Sequence, residues 1–372
     1  MTRTEIVKKA RRIVVKIGSS VLTHHKDIVD HAVIESLAGG MSAILDEGKE
    51  VVIVTSGAIA AGVRKIGMKK GARSIPEKQA AAAAGQSILI RHYERAFEKE
   101  GKKVGQILLT GDGLRDRTRY LNARNTLSTL LHYGLVPIVN ENDSVAVDEI
   151  RFGDNDSLSA LVAGLVDADL LVILTDTEGL YDRDPRRYAD AELIHLVDDF
   201  DVQTEGAEDT LSSVGTGGMV TKIEAARRAA TFGVPTIIAN GERPGVLKSL
   251  MAGEEVGTLF VPEEERLKGK KRWIAYSLKS AGRIVVDSGA RRAVEKGKSL
   301  LPSGVLSVEG RFAFGDLVSL VEEGGDEFAR GLVQFESGHV DKMKGLKTSD
   351  IEAVLGKKDY DEVIHRDDLV FI

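Results

Sequence analysis

The first 260 residues alternate between short apolar runs and longer segments in which apolar residues recur with helical spacing. The short runs are rich in Val, Ile and Leu and almost continuously hydrophobic, as is typical of strands buried on both faces. Strands that alternate with helices predict an α/β fold, a mostly parallel sheet sandwiched by helices. Predicted strands are 13–17, 50–55, 103–109, 136–140, 170–175 and 236–239; predicted helices are 32–46, 79–99, 118–132, 158–166 and 220–232.

The pattern changes after residue 260. A strongly charged stretch at 262–272 is typical of a linker. Short β-rich runs then follow, separated by Gly, Ser and Asp turns, at 283–286, 305–308, 317–321 and 331–335. We therefore predict a first domain at 1–262, a linker at 263–275 and a small β-rich domain at 276–372.

Composition narrows the classes of function. The 372 residues are 42% hydrophobic and suffice for a large core, and the absence of cysteine excludes disulfides, thiolate metal sites and a cysteine nucleophile. A net charge of −6 argues against a protein that wraps nucleic acid. No apolar run reaches the length of about 18 residues that a membrane helix needs, and no secretory signal pattern is visible. We expect a cytoplasmic protein without membrane attachment.

Small and polar residues follow the predicted strands, at the sheet edge where α/β proteins bind ligands. Lys16 ends a buried strand, where an ammonium group needs a partner or a ligand, and Gly18 lets backbone N–H groups approach an anion. The alternative is that Lys16 reaches solvent. A glycine-rich loop at 215–218 precedes a helix, which favours phosphate binding, with Lys222 in the first helical turn. The alternative is a surface loop with an incidental lysine.

Two polar clusters and one small-residue segment complete the set of candidates. Segment 153–157 precedes the helix predicted at Leu158 and holds more polar residues than one helix cap requires. The amides and carboxylates of 140–143 suit a ligand that carries both charges, such as an amino acid. Segment 56–62 would let a carboxylate or phosphate reach the backbone, although close packing of a helix on the sheet also requires small residues. Neither a base–nucleophile pair nor metal-ligand spacing is visible in the sequence.

Taken together and in this order, these motifs resemble the amino acid kinase family. They are the loop that begins at Lys16, TSGAIAAG at 55–62, VNEND at 139–143, GDNDSLSA at 153–160, the residues at 171–181, and GTGGMVTK at 215–222. The C-terminal region resembles a PUA domain. The resemblance covers nearly the whole chain and is closest to the branch of the family that acts on glutamate.

The resemblance implies that ATP phosphorylates the side-chain carboxylate of L-glutamate to L-glutamyl 5-phosphate, the first step towards proline. It implies Lys16, Asp156 and Lys222 as catalytic residues, and Mg²⁺ carried on ATP. By the same resemblance, glutamate meets Ser56, Asp143 and Asn155. ATP meets Lys16, Gly18, Thr175, Asp176, Thr216, Gly217, Gly218, Met219, Val220, Thr221 and Lys222.

The resemblance also implies feedback inhibition by proline, a homo-oligomer (a tetramer) and handover of the labile product to glutamyl phosphate reductase. Two alternatives stay open at this point. The first is another kinase of the family, acting on N-acetylglutamate or aspartate. The second is an RNA-binding protein acting through the PUA-like domain, against which the excess of acidic residues in 276–372 argues.

Overall fold

The computed structural model describes residues 2–23, 29–69, 71–111, 113–115, 117–145, 155–200, 218–262, 280–357 and 360–371. The chain divides into two compact units, residues 1–267 and 268–372. The predicted linker at 263–275 lies outside the described residues, so the proposed domain limits stay predictions.

An eight-stranded sheet forms the centre of the first unit. Its strands are β1 (Arg12–Ile17), β2 (Glu50–Thr55), β3 (Lys103–Leu109), β4 (Leu135–Glu141), β5 (Leu170–Thr175), β8 (Leu196–Val197), β9 (Thr236–Asn240) and β10 (Thr258–Phe260). Their order across the sheet is β3-β4-β2-β1-β5-β9-β10-β8. All its strand pairs are parallel except β9 with β10. A separate ribbon pairs β6 (Leu180–Tyr181) with β7 (Leu193–Ile194). The prediction of a mostly parallel sheet is confirmed.

Helices cover both faces of this sheet. They are α1 (Arg3–Lys9), α2 (Ser19–Thr23), α3 (His31–Asp46), α4 (Ala58–Ile66), α5 (Ile75–Lys99), α6 (Arg117–His132), α7 (Asn155–Leu165), α8 (Gly218–Thr231) and α9 (Val246–Met251). In β1, Val15 packs with residues of α3 and α5, whereas Val14 packs with residues of α7 and α8. Side chains alternate along a strand, so Lys16 is directed to the α7–α8 face.

Three helices begin two to four residues earlier than the sequence pattern predicted. Helix α7 starts at Asn155 rather than 158, and α8 at Gly218 rather than 220, because their polar or glycine first residues conceal the helical spacing. Helix α5 starts at Ile75 rather than 79, because Ser74 and Glu77 form a capping box.

Two glycines allow α4 and α5 to pack backbone against backbone. A Cβ at Gly62 would lie 1.7 Å from the carbonyl oxygen of Ala81, and a Cβ at Gly85 would lie 1.9 Å from that of Ala58. Close packing, the alternative considered for segment 56–62, therefore accounts for Gly62, although its partner is a helix rather than the sheet. This contact fixes the Ser56 turn, just before α4, beside α5.

The second unit is a five-stranded sheet with its own apolar core. Its elements are β11 (Gly282–Val286), α10 (Ser288–Glu295), β12 (Val305–Gly310), β13 (Leu317–Glu322), β14 (Glu327–Leu332), α11 (Ser337–Met343), α12 (Ile351–Leu355) and β15 (Leu369–Phe371). The bounds of the strand predicted at 331–335 were wrong, because β14 ends at Leu332. The apolar run continues past that end, and Val333 and Phe335 are still in the core. In the described part of the whole chain, no helix combines the length and apolarity needed to cross a bilayer.

Candidate active site

Two lysines converge on one buried carboxylate beyond the end of β1. Asp156, in the first turn of α7, is 1% exposed, and its Oδ1 forms an ion pair with Nζ of Lys16. Its Oδ2 lies 3.2 Å from Nζ of Lys222 on α8. Both lysines are buried as well, at 4% and 9% exposure. The structure thus brings together three predicted residues that are far apart in the chain.

Helix α8 holds Lys222 from its own first turn. Nζ of Lys222 donates a hydrogen bond to the carbonyl of Gly218 at 2.7 Å, and the Thr221 hydroxyl donates to Oδ2 of Asp156 at 2.9 Å. Because the helix begins at Gly218, Lys222 opens the second turn, and its predicted place in the first turn was wrong. The Asp156 carboxylate binds this buried lysine, so Lys222 is not an incidental lysine of a surface loop.

The charge balance of this cluster favours an anionic ligand. Burial acts to raise the pKa of Asp156, but the nearby Lys16 and Lys222 outweigh it and lower that pKa to about 2. The carboxylate is therefore ionised at neutral pH. Among the described residues, two ammonium groups face this one carboxylate, which leaves an excess of positive charge in a buried place. Such charge is costly unless a partner or a ligand compensates it.

The other residues predicted to bind ATP lie just after β1, at the end of β5 and at the start of α8. A Cβ at Gly18 would lie 3.3 Å from the Leu174 carbonyl and 3.8 Å from Nζ of Lys16, so glycine leaves space beside the ammonium group. On the adjacent strand, the buried hydroxyl of Thr175 donates to Oδ1 of Asp176 at 3.0 Å. The next predicted ATP residues, Met219 and Val220, are half-buried in the first turn of α8. Thr216 and Gly217 lie outside the described residues.

A polar network lies immediately next to the lysine cluster. Nδ2 of Asn155 donates to the Ser56 hydroxyl at 3.0 Å and to Oδ1 of Asn140 at 3.2 Å. Oδ1 of Asn155 is buried and has no hydrogen-bond partner among the described residues. Asn155 and Asp156 are consecutive in α7, so the helix start joins this network directly to the two lysines.

Asp143 follows β4 by two residues and is half-buried. Burial raises the pKa of its carboxyl to about 6, so the group is mostly ionised at neutral pH yet poorly hydrated. A cationic ligand group would relieve that cost. Its place after β4, the strand that carries Asn140, puts it at the same sheet edge as the Asn155 network.

Two members of the site were not singled out from the sequence. Asn140 was noted only as part of a polar cluster, and its burial at 1% exposure could not be read from the motif. Gln86 accepts a hydrogen bond from Nδ2 of Asn140 at 2.8 Å. A glutamine inside a long amphipathic helix carries no signal of its own. A separate hydrogen bond, from Nδ2 of Asn240 to Oε1 of Glu178 at 2.8 Å, joins the end of β9 to the loop after β5.

Comparison with known proteins identifies the family of the chain. The amino acid kinase family model matches residues 11–240, and the PUA domain model matches residues 282–355. Glutamate 5-kinase of Geobacter metallireducens is 54% identical and that of Pelobacter propionicus 52% identical, each over 372 residues and the full length of both chains. UMP kinase of Bacillus anthracis is 18% identical with a TM-score of 0.48, over 68% of this chain and 97% of that chain. The chain belongs to the amino acid kinase family, and the relatives that match it over its full length are named glutamate 5-kinase.

Proposed function

We propose that this protein transfers the γ-phosphoryl group of ATP to the side-chain carboxylate of L-glutamate, giving ADP and L-glutamyl 5-phosphate. The observation that carries the proposal is the buried cluster of Lys16, Asp156 and Lys222, whose excess positive charge suits a phosphoryl group. The full-length relatives named glutamate 5-kinase support the choice of acceptor.

The reaction requires no general base. An oxygen of the glutamate side-chain carboxylate attacks the γ-phosphorus, and the bond from that phosphorus to the β,γ-bridging oxygen breaks. The carboxylate has a reference pKa of about 4.3 and is already ionised at neutral pH, so no proton has to move. The task of the protein is to hold two anions in line and to neutralise their charge.

Lys16 and Lys222 perform that task from two sides. Both ammonium groups are held by Asp156, which fixes their separation before the substrates arrive. A preorganised cation stabilises developing charge without the cost of reorienting at the moment of reaction. We assign Lys16 and Lys222 to the transferring phosphoryl group and Asp156 to their orientation.

Mg²⁺ would be held through the nucleotide phosphates. The two oxygens of Asp156 already contact Lys16, Thr221 and Lys222, which fits a metal that the carboxylate itself does not bind. When bound, Mg²⁺ neutralises part of the phosphate charge, and it commonly retains several waters rather than an all-protein shell.

Glutamate is assigned to the polar network beside the lysines. Ser56 and the unpaired Oδ1 of Asn155 offer a hydroxyl and a carbonyl to its polar groups, and the Asp143 carboxylate would pair with its α-ammonium group. Thr175, Asp176, Gly18 and the first turn of α8 are assigned to ATP, as the resemblance implies.

The finer parts of the proposal rest on the sequence. From the resemblance we assign proline as feedback inhibitor, a tetrameric assembly and handover of the product to glutamyl phosphate reductase. From the sequence pattern we assign a cytoplasmic location and the domain limits at 262 and 276. Each is open to a direct measurement: inhibition by proline, the mass in solution, fractionation of cells, coupled turnover with the reductase and limited proteolysis.

A substrate panel tests the function. The protein is incubated with ATP, Mg²⁺ and either L-glutamate, N-acetylglutamate or L-aspartate, and the acyl phosphate is trapped with hydroxylamine. We expect hydroxamate to form with L-glutamate at a rate far above the rates with N-acetylglutamate and L-aspartate.

Lys222→Met should lower kcat by about 10²–10³-fold, as the loss of a key charged stabiliser does. The exposed lysine of α9 provides the control, and Lys248→Met should leave kcat unchanged. Equal rates with N-acetylglutamate, or a fully active Lys222→Met, would refute the assignment.

A further inference from the structure

The hydrogen-bond network behind the Asn155 side chain has a fixed polarity. The backbone N–H of Glu141 contacts the side chain of Asn140 at 2.9 Å. An N–H can only donate, so the Asn140 atom at this contact is the acceptor Oδ1. Nδ2 of Asn140 is then on the other side, where Oε1 of Gln86 accepts from it at 2.8 Å.

The orientation of Asn140 determines that of Asn155. Because Oδ1 of Asn140 is an acceptor, the Asn155 atom 3.2 Å from it must be the donor Nδ2. The same Nδ2 donates to the Ser56 hydroxyl at 3.0 Å. Both N–H groups of the Asn155 amide are thereby used inside the protein. Its Oδ1 is left buried and unpaired among the described residues, ready to accept from a ligand.

The proposed substrate offers one strong donor to such an oxygen. At neutral pH both carboxylates of glutamate are acceptors only, and its α-ammonium group supplies N–H donors. A buried carbonyl oxygen left without a donor is costly, because it has given up its hydrogen bonds to water. The site is therefore arranged to be satisfied by an amino acid rather than by a dicarboxylate that lacks the ammonium group.

On this basis, which rests on the proposed function, we infer that Gln86 is a positioning residue for glutamate. It touches no substrate atom in this assignment. It holds Asn140, which holds Asn155, so that the Asn155 carbonyl is directed at the α-ammonium group. Gly85, the residue before Gln86, lies against the start of α4, where a Cβ would be 1.9 Å from the Ala58 carbonyl oxygen.

Removal of the acceptor on Gln86 should weaken glutamate binding specifically. In Gln86→Met the buried Nδ2 of Asn140 loses its partner, and Asn140 rotates to find another, which releases one anchor of Asn155. We expect KM for glutamate to rise about tenfold, the effect of one lost hydrogen bond in a buried network, while KM for ATP stays within twofold. Gln86→Glu keeps an acceptor at the same place and should restore KM to within about threefold. The exposed glutamine of β3 provides the matched control, and Gln106→Met should change neither KM.

A double-mutant cycle with Asn155→Ala separates positioning from a merely structural role. If Gln86 acts through Asn155, Gln86→Met lowers kcat/KM for glutamate about tenfold in the native background and less than twofold in the Asn155→Ala background. An equal loss in both backgrounds overturns the inference, as does an unchanged KM for glutamate in Gln86→Met. Absence of glutamate turnover in the unaltered protein would refute the proposed function itself. That outcome differs from a failure of the Gln86 inference, in which the unaltered protein still turns over glutamate.

Discussion

Substitution of Asp156 by asparagine leaves two buried lysines without their common counterion. The pKa of Asp156 is lowered from 3.8 to about 2, which corresponds to about 2 kcal/mol of native-state stabilisation of the charged form. Because this folded-state pKa lies below the unfolded one, the stabilisation is present above about pH 4 and is lost as pH falls through about 2. At pH 7 the full contribution is removed by the substitution. Removal of one partner from a buried ion pair typically costs about 3–5 kcal/mol, so we expect a loss of at least 2 kcal/mol.

Urea unfolding at pH 7 measures this loss, and initial rates measure the accompanying fall in kcat, expected at about 10²–10³-fold. Inorganic phosphate should raise the unfolding midpoint of Asp156→Asn more than that of the unaltered protein, because the uncompensated lysines gain an anion. The exposed pair of Asp190 with Arg183 offers a control, and Asp190→Asn should shift stability by no more than about 0.5 kcal/mol. Equal midpoints and equal kcat for Asp156→Asn and the unaltered protein would contradict the assigned role.

Three further predictions concern the neighbouring groups. As pH falls from 7 to 5, KM for glutamate should rise, because Asp143, whose pKa is raised to about 6, becomes protonated. Initial rates measure this KM, and its dependence on pH should be absent in Asp143→Asn. The raised pKa also means that ionisation of Asp143 opposes folding, so the free energy of unfolding should fall as pH rises from about 4 to 6. Asp143→Asn should therefore be slightly more stable than the unaltered protein at pH 7. Thr221→Val removes the hydroxyl that donates to Asp156 and should lower kcat about tenfold with little change in thermal unfolding; an unchanged kcat would show that the bond is dispensable. Gly85→Ala forces a Cβ against the Ala58 carbonyl, so the melting temperature should drop by several degrees and KM for glutamate should rise; an unaffected melting temperature would rule out the tight contact.

Some of this site could be predicted from the sequence because its residues obey simple local rules. A lysine at the end of an apolar strand demands a partner, and Lys16 has one. The identity of that partner could not be predicted from spacing. It depends on α7 and α8 packing on the same face of β1, which is a consequence of the whole sheet order. The resemblance to a family identified Lys16, Asp156 and Lys222, and the structure shows that the two lysines share one buried carboxylate.

Prediction from local sequence failed where a residue type suits both a helix cap and a functional site. Asn155 and Asp156 are good helix caps, so the sequence placed them before the helix, whereas both lie inside its first turn. Gln86 and Asn140 matter through the direction of their amide groups, and that direction is set by contacts between β4, α5 and α7. The very short strands β6, β7, β8 and β10 fall below the length at which a hydrophobic pattern is recognisable.

Isotope transfer tests the central claim most directly. L-Glutamate labelled with ¹⁸O in its side-chain carboxylate is incubated with ATP and Mg²⁺, and the product is cleaved at its carbonyl carbon by hydroxylamine. If the carboxylate oxygen attacks the γ-phosphorus, the released phosphate carries one ¹⁸O atom for each hydroxamate formed. Unlabelled phosphate, released at a rate that does not depend on glutamate, would mean that water is the acceptor and would contradict the account.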